Sequence, residues 1–227
     1  MRILALETTA LSASVAAFDT GQMIAERPCA EGQRSAQSLA PAIQDLLQQV
    51  GWQPNQVDLV ALPIGPGSFT GLRVGVATAK TFAYAVGAEV MGLDTMQVIA
   101  AQVPASLTAV SVVLDAQRQQ LFAASFQRDA HGTMICDVPT QIVDAAKWLA
   151  GLPPDTTLSG PVLEKIGDGL PPHVRAVEKH GWAPQAATVG QLAHDQYASG
   201  RRDDLWRLAP KYYRKSAAEE KRDAAGT

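Results

Sequence analysis

The feature that most constrains this chain is a hairpin written twice. Residues 3–6 and 13–18 read as two strands around a short polar turn that opens at Glu7. At one constant offset the pattern returns: Asp115 matches Glu7, Phe126 matches Phe18, and apolar runs at 110–114 and 121–127 flank the second turn. Such a repeat predicts an internal duplication, in which the second half rebuilds what the first half builds. Around the hairpins, helical periodicity alternates with short apolar runs. Helices are expected from Ser35 or Ser38 to residue 50, over 69–86, 95–103, 145–149 and 189–198; strands are expected over 59–64, 89–92 and 157–159. Pro41 suits a first turn, and Gly51 and Gly87 suit helix ends. Strands mixed with amphipathic helices predict an α/β protein, with a boundary near Pro104.

At 227 residues the chain has room for one large domain or two small ones, and 47% apolar with 18% charged residues is ordinary for a globular protein. No apolar run reaches the roughly 18 to 20 residues that span a bilayer. Glu7 interrupts the first apolar stretch too early for a secretory signal, so a cytoplasmic protein without a membrane partner is expected. Cys29 and Cys136 stand far apart with no CxxC, which predicts small buried thiols. The net charge of −3 hides an asymmetry: residues 201–227 carry eight Lys/Arg against five Asp/Glu, and the remainder carries −6. Arg201, Arg202, Arg207, Lys211, Arg214 and Lys215 form a basic end that suits either phosphate contact or a solvated tail.

The stretch "LPIGPGSFTGLRVG", residues 62–75, invites three chemical readings. A P-loop needs glycine directly before Lys-[Ser/Thr], whereas the chain has Ala79-Lys80-Thr81 with Val74 at the first glycine position. A nucleophile elbow needs Gly-x-Ser-x-Gly and a positioned histidine; here Gly67 directly precedes Ser68, and His131, His173, His180 and His194 all fall in the second half. Ser68 and Thr70 are better explained as helix caps, worth about 1 kcal/mol each. A general anion site at the helix N-terminus survives. No HxxxH or HExxH pair offers a metal site. What remains is a ridge of Gly71, Gly75, Ala79, Ala83 and Gly87 at a spacing of four. Glycine inside a helix costs roughly 0.5 to 1 kcal/mol, so the ridge predicts a very close neighbour, either the chain's own sheet or a partner's helix. Arg73, a cation in the first helical turn, opposes the helix dipole and wants an anionic partner unless it is simply solvated.

Four stretches, "ILALETT", "GPGSFTGLR", "LDAQRQQLFAASF" and "LAPKYYRK", in that order, resemble the TsaB (YeaZ) family. The resemblance implies an α/β actin-like/Hsp70-like (ASKHA) fold of two related lobes, each a mixed sheet with flanking helices, over 1–104 and 105–210, with a tail over 211–227. It implies a non-catalytic partner of TsaD, required for threonylcarbamoyl transfer to the adenosine beside the anticodon in tRNAs that read codons beginning with adenine. TsaE would join through the complex, a homodimer would form when TsaD is absent, and tRNA would be met indirectly or through the basic end. Kinship with TsaD explains the glycoprotease-like (M22) label and sets the rivals: a peptidase using Ser68, or a nucleotide-binding switch. TsaD's metal site rests on an HxxxH pair that this chain lacks, and the turns "ETTALS" and "DAQRQQ" lack the glycines of actin-like phosphate hairpins. No tightly bound cofactor is therefore expected, with nucleotide only at a partner interface. By resemblance, the loop motif is Gly65, Pro66, Gly67, Ser68, Phe69 and Thr70, and the partner-binding surface is Leu39, Ile43, Leu46, Gly71, Leu72, Arg73, Gly75, Val76, Ala79 and Ala83. The chain departs from the family in reading Asp115-Ala116-Gln117 where Asp-Ala-Arg is common.

Overall fold

The computed structural model describes residues 1–10, 12–29 and 35–214. The first sheet opens with β1 (Arg2–Glu7), β2 (Ser14–Asp19) and β3 (Gln22–Pro28), all antiparallel neighbours. Thr20 and Gly21 make the β2–β3 turn at φ 48° and 83°, the left-handed pair that suits a tight hairpin. Helix α1 (Ser35–Gln49) then crosses to β4 (Leu59–Gly65), which pairs parallel to β1; α2 (Phe69–Val86) leads to β5 (Glu89–Asp94), parallel to β4. After α3 (Thr95–Ala101) the plan repeats with β6 (Ala109–Asp115), β7 (Gln120–Arg128), β8 (Met134–Asp144), α4 (Ala145–Ala150), β9 (Thr157–Ser159), α5 (Leu163–Ile166) and β10 (Arg175–Ala176). The sheet orders β3-β2-β1-β4-β5 and β8-β7-β6-β9-β10 are the same, with the same parallel and antiparallel neighbours. This is the duplicated, two-lobed actin-like architecture.

The repeat is real, but one of its two marker residues is displaced. Glu7 pairs with Ser14 and Ile3 with Phe18; Asp115 pairs with Leu121, and Phe126 pairs with Val110 rather than with Ser111. The second turn is one residue shorter, so aligning Glu7 with Asp115 sets Phe18 opposite Ser125, not Phe126. A one-residue shift changes the face of a strand. Phe18 accordingly packs with Ala186 and Val189, whereas Phe126 packs with Met96 and Ile99.

Helices α1 and α2 cover the outer face of the first sheet, where Leu4, Leu6, Val60 and Leu62 meet Leu39, Leu46, Val76 and Ala79. The inner face takes α6 (Ala186–Ala198), with α3 between it and the second lobe. By chain order α6 belongs to the second half, but it packs on β1 and β2 of the first lobe, against the 105–210 division read from sequence. Gly190 permits this, since a Cβ there would stand 2.1 Å from the Phe18 ring. Strands β3, β8 and β10 were not expected: all are edges or near-edges with exposed polar residues and no apolar alternation. Pro41 falls inside α1, not in its first turn, because the helix begins at Ser35. Cys29 is buried as expected, while Cys136 is exposed on β8.

Candidate functional site

Strand β4 delivers the Gly-rich loop to the start of α2. Gly65 adopts φ +135° and lies where a Cβ would meet the Lys211 carbonyl oxygen at 2.5 Å, so only glycine fits. Ser68 caps α2: its Oγ accepts from the Gly71 N–H at 3.2 Å, and its carbonyl accepts from Leu72. Thr70 lies inside the first turn and is not a cap. The cap thus occupies one amide of the first turn, that of Gly71. Among the described residues no hydrogen bond joins Ser68 to a histidine: His173 faces the Leu152 carbonyl, His180 faces Glu178, and His194 packs on Gly21.

The close neighbour of the glycine ridge is the chain itself. A Cβ on Gly71 would stand 1.8 Å from the Thr8 carbonyl oxygen, and one on Gly75 would stand 2.3 Å from Thr8 Oγ1. Thr8 Oγ1 donates to the Gly71 carbonyl, and Ser68 N–H donates to the Thr9 carbonyl. The turn after β1 is thus pressed onto α2. Beneath it Glu7 is fully buried. Its Oε1 accepts from the Thr9 N–H at 2.6 Å and from Thr9 Oγ1 at 2.5 Å, while Oε2 is buried without a hydrogen-bond partner. Burial pushes the Glu7 carboxyl up to about 7, against the lowering effect of Thr9, Ala10 and Thr8.

This geometry corrects the partner-facing set. Leu39, Leu46, Gly71, Leu72, Gly75, Val76, Ala79 and Ala83 are buried in their own lobe, because a spacing of four marks closeness without saying to what. Of the set only Ile43 borders the open groove between α1 and α2, and only Arg73 is exposed. The groove, of about 930 Å³, is lined by Ala40, Ile43, Leu47, Ala77, Phe82 and Ala85 among others. Sequence reasoning missed Ala40, Ala77 and Ala85; their signal was small residues at exposed helical positions. Among the described residues Arg73 meets no acid: its Nε donates to Tyr212 Oη at 3.0 Å and its guanidinium stacks 3.9 Å over Phe69.

The C-terminal segment laces the lobes together. Lys211 N–H donates to the Ile64 carbonyl, Tyr213 Oη donates to Asp94, and Arg214 donates to the Ala116 carbonyl and to Gln120. The turn that Arg214 grips holds Gln117, Arg118 and Gln119 at φ between 54° and 64°, three consecutive left-handed residues. Asp115 steadies it, accepting from Gln117 N–H and pairing with Lys165. Of the basic end, Arg201 and Arg202 are engaged by Asp203 and Glu89, and Lys215 lies outside the described residues. Among the described residues no three His, Cys, Asp or Glu side chains group as metal ligands, and no helix is long and apolar enough to cross a membrane.

Residues 27–169 match the family model described as TsaD, tRNA N6-adenosine threonylcarbamoyltransferase. A Bacillus subtilis protein named tRNA threonylcarbamoyladenosine biosynthesis protein TsaB is 26% identical over 97% of both chains. An Escherichia coli protein of the same name is 31% identical over 58% of each. The solved structure of YeaZ from Pseudomonas aeruginosa covers 93% of this chain and 99% of its own, at a TM-score of 0.79 and 24% identity, which speaks for the fold. With the duplicated lobes and the loop motif in place, the chain belongs to the TsaD-like family of threonylcarbamoyladenosine proteins, in its TsaB/YeaZ branch.

Proposed function

We propose that this chain is a catalytically silent partner subunit of TsaD, supporting threonylcarbamoyl transfer to the adenosine beside the anticodon in tRNAs that read codons beginning with adenine. The observation that carries the reading is the α1–α2 groove. Ala40, Ala77 and Ala85 keep its walls low, and Ile43, Leu47 and Phe82 give it an apolar floor, a combination that suits close packing of a partner's helices. A silent role is supported by Ser68 acting as a cap and by a first hairpin turn filled by the chain's own contacts. TsaD occupies the groove, TsaE joins through the complex, and a second copy takes TsaD's place when it is absent. Nucleotide enters only at a partner interface, and the work is cytoplasmic.

The test is co-purification with TsaD followed by a tRNA-modification assay. Ala77→Trp fills the groove from an exposed position and is expected to abolish pairing and modification while the isolated chain keeps its melting temperature. Intact pairing of that variant would sink the groove assignment. Calorimetry of the isolated chain with ATP and Mg²⁺ is expected to give no tight binding; a tight site would favour a nucleotide switch.

A further inference from the structure

We propose that the outward strip of α2, together with the segment 206–214 beside it, binds a single-stranded stretch of RNA. Charge is segregated here. Helix α2 carries Arg73 and Lys80 and the segment carries Arg207, Lys211 and Arg214, the last taken up by Ala116 and Gln120, while residues 69–86 and 206–214 contain no Asp or Glu. Asp204 stands 4.0 Å from Arg207 and Asp94 3.8 Å from Lys211, whereas Arg73 meets a phenol rather than an acid.

Aromatic exposure is concentrated on the same strip. Among the described residues, the large aromatic side chains left exposed are Phe69 (38%), Tyr84 (69%), Trp206 (72%) and Tyr212 (44%). They form two pairs, Phe69–Tyr212 with ring centroids 4.9 Å apart and Tyr84–Trp206 edge-to-face at 5.6 Å. The pairs lie fifteen residues apart along α2, roughly 22 Å at the helical rise. Between them Lys80 ties the segment down by donating to the carbonyls of Trp206 and Leu208. Fastening the segment does not require Tyr84 and Trp206 to stand mostly in water. Cations alternating with exposed aromatic faces are what an unpaired strand uses, phosphates on the cations and bases on the rings. The strip adjoins the groove, whose lining from this helix is Ala77, Thr78, Thr81, Phe82 and Ala85, with Ala77 one turn from both Arg73 and Lys80. A helical partner and RNA therefore use adjoining faces of one helix. The choice of RNA as the nucleic acid rests on the tRNA reading above; the stacking and phosphate chemistry does not.

The experiment measures anisotropy of a fluorescein-labelled oligouridylate of about twelve nucleotides with the full chain, alongside its intrinsic tryptophan emission. Binding is expected to quench emission and to weaken steeply with salt. Trp206→Ala and Tyr84→Ala are each expected to lose roughly tenfold in affinity without a change in melting temperature, since both positions are exposed. Arg207→Ala is expected to lower the salt slope by about 0.7, and Met23→Ala, exposed on β3, is expected to bind as the parent does. No binding, unchanged affinity in both aromatic variants, or displacement of the RNA by polyglutamate would overturn the proposal, the last by assigning the strip to an acidic protein surface. TsaD pairing is scored separately, without RNA, so its failure is distinguishable from failure here.

Discussion

At the scale of single residues, Glu7 makes a pH argument. Its carboxyl is fully buried, one oxygen serves Thr9 and the other has no partner. Burial raises it from the ordinary 4.5 to about 7, with the amides of Thr8, Thr9 and Ala10 facing it and the Cys29 thiol nearby. The folded state thus holds the proton more tightly than the unfolded chain does. Stability from this group is full below about 4.5 and is lost as pH rises to about 7, a difference of about 3 kcal/mol. Urea unfolding of the parent and of Glu7→Gln at pH 4.5 and pH 8 should show the parent losing roughly that much relative to the variant. Equal pH dependence of the two would refute it. Gly71 gives the matching steric argument: a Cβ 1.8 Å from a backbone oxygen has no flexible neighbour to move, so Gly71→Ala should cost about 2 to 4 kcal/mol in chemical unfolding. Gly75→Leu is for the same reason a folding lesion, not a probe of partner binding.

At the scale of elements, helix α2 was legible to its ends. Ser68 before it and the left-handed Gly87 after it are local signals, and both act where the sequence puts them. Ser68→Ala should lower stability by about 1 kcal/mol while leaving co-purification with TsaD unchanged; loss of a measurable hydrolytic activity instead would revive the peptidase reading. Helix α2's neighbour was not legible. A run of small residues encodes a distance, and whether Thr8 or a foreign helix fills it depends on contacts 63 residues away in the chain. The edge strands failed for another reason. All seven side chains of β3 are exposed or half-exposed, with no buried face, and Pro139 interrupts β8, so neither carries the period-two signal. The groove escaped notice because alanine on an exposed helical face looks like propensity until two such faces lie side by side.

At the scale of the whole molecule, the duplication set the topology of both sheets, but chain order gave no hint that α6 returns to the first lobe. The trace it left was Gly190, a helical glycine whose missing side chain makes room for Phe18. The segment that follows α6 then crosses both lobes: Leu208 is buried in the first core, Tyr213 reaches Asp94, and Arg214 grips the β6–β7 turn at Ala116 and Gln120. That turn has three consecutive non-glycine residues in the left-handed region, a conformation that costs free energy at each and persists only when surrounding contacts fix it. Arg214 supplies two of those contacts from outside the second lobe's own sheets. Arg214→Ala should therefore speed hydrogen exchange at residues 116–120 by roughly tenfold or more, on the scale of hydrogen bonds made by a charged donor. Exchange in α1 and α2, which the first core holds, should be unchanged. Equal protection of the turn in parent and variant would mean that Asp115, bonded to Gln117 and paired with Lys165, fixes the turn without help from the C-terminal segment.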